Sequence, residues 1–219
     1  MKKIMFNDRY GLTQAVLDGR KTQTRRMIPK DFFSLQWDID NKNNTLVCEN
    51  DMGDFIDIRQ TRYNRYKVGE VVAVAQSYKD CGYRPDKIFY RSIPEIDGYR
   101  NETAASQAGW NNKLFVAANL MPHAIRITNV RVEKLQDISE NDCLAEGIIK
   151  GRVGSEDTHF MDAYYVPNVP NVRLEPHCTP REAYATLIDK VSGKGTWNSN
   201  PYVFVYDFEL VKKGVTDGN

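Results

Sequence analysis

Gly19-Arg20-Lys21-Thr22-Gln23-Thr24-Arg25-Arg26 places four cations and two hydroxyls within eight residues. Such a cluster suits a phosphate, a nucleobase or a carboxylate. Thr22 and Thr24 serve as hydrogen-bond partners for such a ligand, or one of them as a nucleophile. The plain alternative is a solvated basic strand edge, where Lys and Arg discourage aggregation. A second stretch, Arg59-Gln60-Thr61-Arg62-Tyr63-Asn64-Arg65-Tyr66-Lys67, spaces three arginines every third residue and interleaves two tyrosines. Arg62, Tyr63, Arg65 and Tyr66 together have the composition of a single-strand nucleic-acid surface, where bases stack and phosphates pair. Its alternative is an exposed loop with solvated charges. A third candidate is Glu146, in the last turn of a short helix. The macrodipole is negative there and disfavours a carboxylate, which is poor for the helix and useful for moving a proton. An ordinary surface glutamate is the competing reading.

The elements around these residues set what they can reach. Lys3 to Phe6 reads as a short strand, and Asn7-Asp8 as the cap of a helix over residues 9–18, ended by Gly19. If the octet is a regular strand, Lys21 and Thr24 face opposite sides, so one shared site needs a turn or bulge between them. Residues 27–66 are irregular, with weak strands at Phe33 to Trp37 and Thr45 to Cys48 about a turn at Asp38 to Asn44. Val71 to Ala75 is apolar on both faces, as a doubly buried strand would be. Residues 79–118 are polar and Tyr- and Gly-rich, with a weak strand at Lys87 to Arg91 and with Trp110 and Phe115 as anchors.

Ala124 to Leu135 is the clearest long strand, but its apolar parity slips at Thr128-Asn129, which predicts a bulge or bend. Ser139 caps a short helix stopped by Gly147. Residues 150–180 hold four prolines and read as a long loop. Thr179-Pro180-Arg181-Glu182 opens another helix, with Tyr184, Leu187, Ile188 and Val191 as its apolar stripe and Gly193 as its stop. Tyr202 to Leu210 is a final strand. This order fits an α+β fold, a small mixed barrel with short helices at its ends.

Composition narrows the classes. The 219 residues carry a net charge of only +1, with 41% hydrophobic and 27% charged residues. Affinity for nucleic acid must therefore come from local clustering. Cys48, Cys81, Cys143 and Cys178 are far apart, and His123, His159 and His177 lack ligand spacing, so neither a metal nor a cofactor is expected. The first residues reach charge too early for a signal peptide, and the longest aliphatic run is too short for a bilayer. The expectation is a soluble, cytoplasmic protein without membrane association.

Gly19-x-Lys21-x-x-Thr24-x-Arg26 resembles the G-x-K-x-x-E-x-R signature of ASCH domains in the PUA-like superfamily. The segments YKVGEVVAV, KLQDISENDCLAEGI and NPYVFVYDFEL resemble that family in the same order, and Trp197 to Pro201 is similar to an element of its larger phage and prophage members. The resemblance covers about half the chain. It implies one domain over residues 1–211, a PUA-like β-barrel with insertions near 27–66, 79–118 and 150–180, and a frayed tail at 212–219. It also implies a basic cleft for RNA or a modified nucleoside or deoxynucleoside, with Arg20, Thr22, Arg25 and Arg26 among the ligand contacts. Thr24 stands where the general signature has Glu. The same replacement occurs in a bacterial ASCH amidohydrolase acting on N4-acetylcytidine. That similarity implies Lys21 as base, Thr24 as nucleophile and Glu146 in proton transfer. The alternatives are a non-catalytic RNA-binding module and a phage-encoded protein-interaction factor.

Overall fold

The protein is described by a computed structural model over residues 1–82, 109–156, 159–167 and 175–212. In chain order the strands and α-helices are β1 (Lys3–Ile4), α1 (Leu12–Leu17), β2 (Gln23–Met27), β3 (Trp37–Asp40), β4 (Thr45–Glu49), β5 (Phe55–Asp57), β6 (Val71–Val74), β7 (His123–Lys134), α2 (Glu140–Ala145), β8 (Ile149–Val153), β9 (Met161–Tyr165), α3 (Pro180–Ser192), α4 (Thr196–Ser199) and β10 (Tyr202–Lys212). The class is α+β, mostly sheet with few helices. The expected strand at Lys87 to Arg91 and the tail beyond Lys212 lie outside the described residues.

The chain divides into two compact units. The first draws on Met1–Phe6, Val71–Ile125 and Val211–Asn219. In it β1 pairs parallel with β6, Lys3 opposite Ala73 and Ile4 opposite Val74. Ala73, Ala75, Val116 and Met121 form a buried cluster, as the doubly apolar run 71–75 requires. Phe115, expected as an anchor, is 58% exposed. It sits in a 3-10 turn over Lys113–Phe115, and Val116, one residue on, takes the buried position.

The second unit draws on Asn7–Glu70 and Arg126–Leu210 and contains every residue of the candidate site. The helix expected over 9–18 is split. Gly11, at φ 60°, separates a 3-10 turn at Asp8–Tyr10 from α1, because that left-handed backbone cannot continue a helix. β10 pairs antiparallel with β2, with Thr24 opposite Tyr206 and Arg25 opposite Val205. Residues 27–66 contribute a separate meander, β3–β4–β5. Phe33 lies in a 3-10 turn before it and not in a strand.

The stretch 150–180, read as a loop, contains the hairpin β8–β9. Gly151 makes room there for the Tyr165 ring, since a Cβ on Gly151 would lie 2.9 Å from Tyr165 Cε2. Among the described residues these ladders stay open and do not form the closed barrel that was expected. β2 ends its ladder, with β10 as its strand partner. At the start of β2 the Thr22 carbonyl accepts from the Phe208 N–H of β10, and its own N–H donates to the Ala145 carbonyl at the end of α2, both at 2.9 Å.

Candidate active site

Three local devices bring the site together. Ser139 Oγ accepts the Asp142 N–H at 3.1 Å and starts α2, and Gly147, at φ 104°, ends it, so Glu146 becomes the C-cap. The Ala15 carbonyl accepts from both the Arg20 and Lys21 N–H groups at 2.9 Å, which turns the chain out of α1. The β2–β10 register then fixes which side chains share a face, because side chains alternate along a strand.

Lys21 and Glu146 meet in the interior. The Lys21 ammonium donates to the Glu146 carbonyl oxygen at 2.9 Å and, in a shorter bond, to Glu146 Oε2. Arg25 Nη1 donates to the other carboxylate oxygen, Oε1, at 3.2 Å. Their side chains are 2%, 6% and 1% exposed for Lys21, Glu146 and Arg25.

Arg25 is held on its far side as well. Its Nε and Nη2 reach Glu133 Oε1 at 3.1 and 2.6 Å, and Nη2 reaches Asp142 Oδ2 at 3.2 Å. Nη1 also donates to Gln23 Oε1, and the guanidinium stands 6.0 Å from the Tyr184 ring centroid. Arg131 extends the network to Asp207 at 2.7 Å, Asp142 at 2.9 Å and Glu133 at 3.1 Å. The Gln23 amide bridges Asp207 and Asp142 at 2.6 and 3.1 Å. Lys21, Arg25 and Arg131 thus face Glu133, Asp142, Glu146 and Asp207, a net charge of −1. The octet is not a solvated basic edge.

The electrostatics follow from this packing. Burial pulls the Lys21 ammonium below its ordinary pKa; Glu146 opposes that shift, and the Arg26 and Arg25 cations reinforce it. For Arg25 burial acts in the same direction, but Glu146, Tyr184 and Glu133 outweigh it and hold its pKa above the ordinary value. Burial pushes the Cys143 thiol up to about 12 and the Tyr184 phenol well above its ordinary range. Both are therefore neutral near pH 7.

The remaining expected site residues distribute differently. Thr24 is buried and opposite Tyr206, on the face of β2 away from Gln23 and Arg25. The side-chain bonds that hold Glu146 come from Lys21 and Arg25, with Thr24 not among them. Arg26, opposite Phe204, shares the Thr24 face and is half-buried. Arg20 is exposed and pairs with Asp18 at 3.0 Å, and Thr22 is exposed.

Arg62 and Arg65 are exposed, each with its guanidinium over the ring of the following tyrosine, at 5.2 and 5.7 Å. Those rings serve the fold. Tyr66 is 4% exposed and edge-on to Tyr206, and Tyr63 is edge-on to Phe32. Sequence reasoning missed Gln23, Arg131, Glu133, Asp142 and Asp207. The available signal was Asp207, a lone carboxylate inside the aromatic run Tyr202 to Phe208.

Among the described residues no group of three or more His, Cys, Asp or Glu is placed to hold a metal ion. Nor, among them, is any helix long and apolar enough to cross a membrane. No protein-family model, curated protein or solved structure matches the chain.

Proposed function

We propose that this chain is an amidohydrolase of the ASCH type, on a PUA-like scaffold, that removes an acyl group from the exocyclic nitrogen of a modified cytidine. The observation that carries the reading is the buried Lys21–Glu146 pair, whose lysine gives up its proton more readily than a solvated one. A general base must be largely unprotonated near the working pH, and burial beside other cations is how a lysine reaches that state. Neutral Lys21 takes a proton from the attacking oxygen as that oxygen bonds to the acyl carbon. The carbon–nitrogen bond then breaks, and the proton passes through the Lys21–Glu146 pair to the departing amine.

The resemblance assigns the attacking oxygen to Thr24. The strand register favours a water on the Lys21 side, with Thr24 in the wall of β2. The network holds more carboxylates than cations, an excess that suits an uncharged nucleoside better than a nucleotide carrying a phosphate.

The test is hydrolysis of N4-acetylcytidine by purified protein beside Lys21→Met and Thr24→Ala. Turnover lost in Lys21→Met and kept within tenfold in Thr24→Ala supports the water route. Loss in both, with a hydroxylamine-sensitive acyl-enzyme, makes Thr24 the nucleophile. No turnover by folded wild-type protein sinks the enzyme reading.

A second reading, RNA binding without catalysis, is favoured by the exposed Arg62 and Arg65. Its signature is affinity for single-stranded RNA that falls steeply with salt and drops when both arginines become Ala.

A further inference from the structure

A carboxylate that meets two cations must share itself between them, and the geometry here fixes the division. Lys21 takes Oε2 and Arg25 takes Oε1. Lys21 joins the carboxylate from the chain just before β2, and Arg25 joins it from within β2. Arg25 could not make this contact loosely. A guanidinium is a planar fork with donors at fixed angles, and three further partners engage that fork. Glu133 takes Nε and Nη2, Asp142 takes Nη2, and Gln23 takes Nη1. Tyr184 backs it as a neutral ring.

We infer that Arg25 is a positioning residue, which clamps Glu146 through Oε1 so that Oε2 alone is presented to Lys21. It is not a ligand contact, since its side chain is 1% exposed and its donors are engaged within the protein. The catalytic consequence rests on the amidohydrolase reading; the positioning itself does not. With half of the Glu146 charge directed at Arg25, Lys21 has less than a full counter-ion and loses its proton more easily. The groups that bear on this pair include Arg25, Arg26, Cys143 and Tyr184, with Glu133 and Asp142 behind Arg25. Cys143 and Tyr184 are neutral across the working range.

The experiment follows the Lys21 side chain directly, by its 13Cε resonance in lysine-labelled full-length protein, with Lys21→Met to assign the peak. Arg25→Gln removes the charge and the fork, and Arg25→Lys keeps the charge but cannot hold Glu133 and Glu146 together. The Lys21 midpoint is expected to rise by about one pH unit in Arg25→Gln. In Arg25→Lys it still rises, by less, and the acid limb of the pH–rate profile moves with it. A midpoint unchanged in Arg25→Gln, with only a lower denaturation midpoint, would make Arg25 structural and overturn the inference. A midpoint restored to the wild-type value in Arg25→Lys would also overturn it, because charge alone would then suffice. If Arg25→Gln does not fold, Arg25→Lys decides on the same criterion. A shifted midpoint in a protein without turnover leaves the positioning intact and removes the amidohydrolase reading.

Discussion

Residues 19–26 and residues 59–67 look alike as composition, since both are short, arginine-rich runs with hydrogen-bonding neighbours. In the fold they have opposite fates. Lys21 and Arg25 are almost wholly buried and matched by carboxylates more than 100 residues away in sequence. Arg62 and Arg65 stay in solvent, and the tyrosines between them are packed against Phe32 and Tyr206. A charge run therefore says nothing about its own solvation. The location of the counter-charges decides that, and here they arrive on β7 and on α2 with its C-cap.

The sharpest test of this contrast is Glu146→Ala. It leaves two buried cations without their shared anion and is expected to cost about 3–5 kcal/mol of stability in urea unfolding. A cost no larger than that of Arg62→Ala/Arg65→Ala would erase the distinction between the two runs. Lys21→Met keeps the side-chain stem and leaves Glu146 with Arg25, so a smaller loss of about 1–3 kcal/mol is expected, together with loss of any turnover.

The pH dependence separates Asp142 from Lys21 by window. Burial raises the Asp142 carboxyl, but the Gln23 amide, Arg131 and Arg25 outweigh it and hold its pKa below the ordinary range. Its contribution is thus present above the unfolded value of about 3.9 and is lost as pH falls through the lower folded value. Lys21 changes stability in the same sense, but in an alkaline window. Its folded pKa lies below the unfolded value of about 10.4, so between the two the unfolded chain binds more protons and stability rises with pH. The unfolding midpoint of wild type relative to Lys21→Met should climb across that alkaline window; a parallel pair of curves would show that Lys21 is not perturbed.

Tyr206→Phe deletes a buried bond to Asn64 Oδ1, 3.0 Å long, and is expected to cost about 1 kcal/mol. The smallest effect should come from Arg62→Ala/Arg65→Ala, within about 0.5 kcal/mol, since exposed charges contribute little to stability.

Local rules were legible where chemistry is local. Ser139, Gly147 and Thr179 marked their helix ends because a cap is decided within four residues. The parity of residues 21 to 25 already placed Lys21 and Thr24 on opposite sides, and the β2–β10 register agrees for Thr24. The parity slip at Thr128-Asn129 corresponds to a change of buried side along β7, from Ile125 and Ile127 to Val130 and Val132. What stayed hidden was long-range. The hairpin β8–β9 pairs Gly151 with Ala163, small residues that carry no strand signal of their own. The partners of Arg25 are scattered over β2, β7 and α2, and no spacing rule links them. The helix over 9–18 failed at Gly11, whose φ of 60° a periodicity argument does not see.

The pairing of β2 with β10 also has a bearing on how the molecule is made. Gln23 and Asp207, bonded at 2.6 Å, are 184 residues apart. At roughly 5–20 residues per second, a ribosome needs on the order of 10–40 s to supply the second partner after the first. During that interval Lys21 and Arg25 have left the exit tunnel but lack Asp207 and the strand that carries it. Their own carboxylates, Glu133, Asp142 and Glu146, emerge 108 to 125 residues after them, so Lys21 and Arg25 are hydrated cations only until then, and Gln23 waits longest for its partner. The run that ends as a sealed ion network is thus, for much of its synthesis, the exposed basic segment that its sequence suggests.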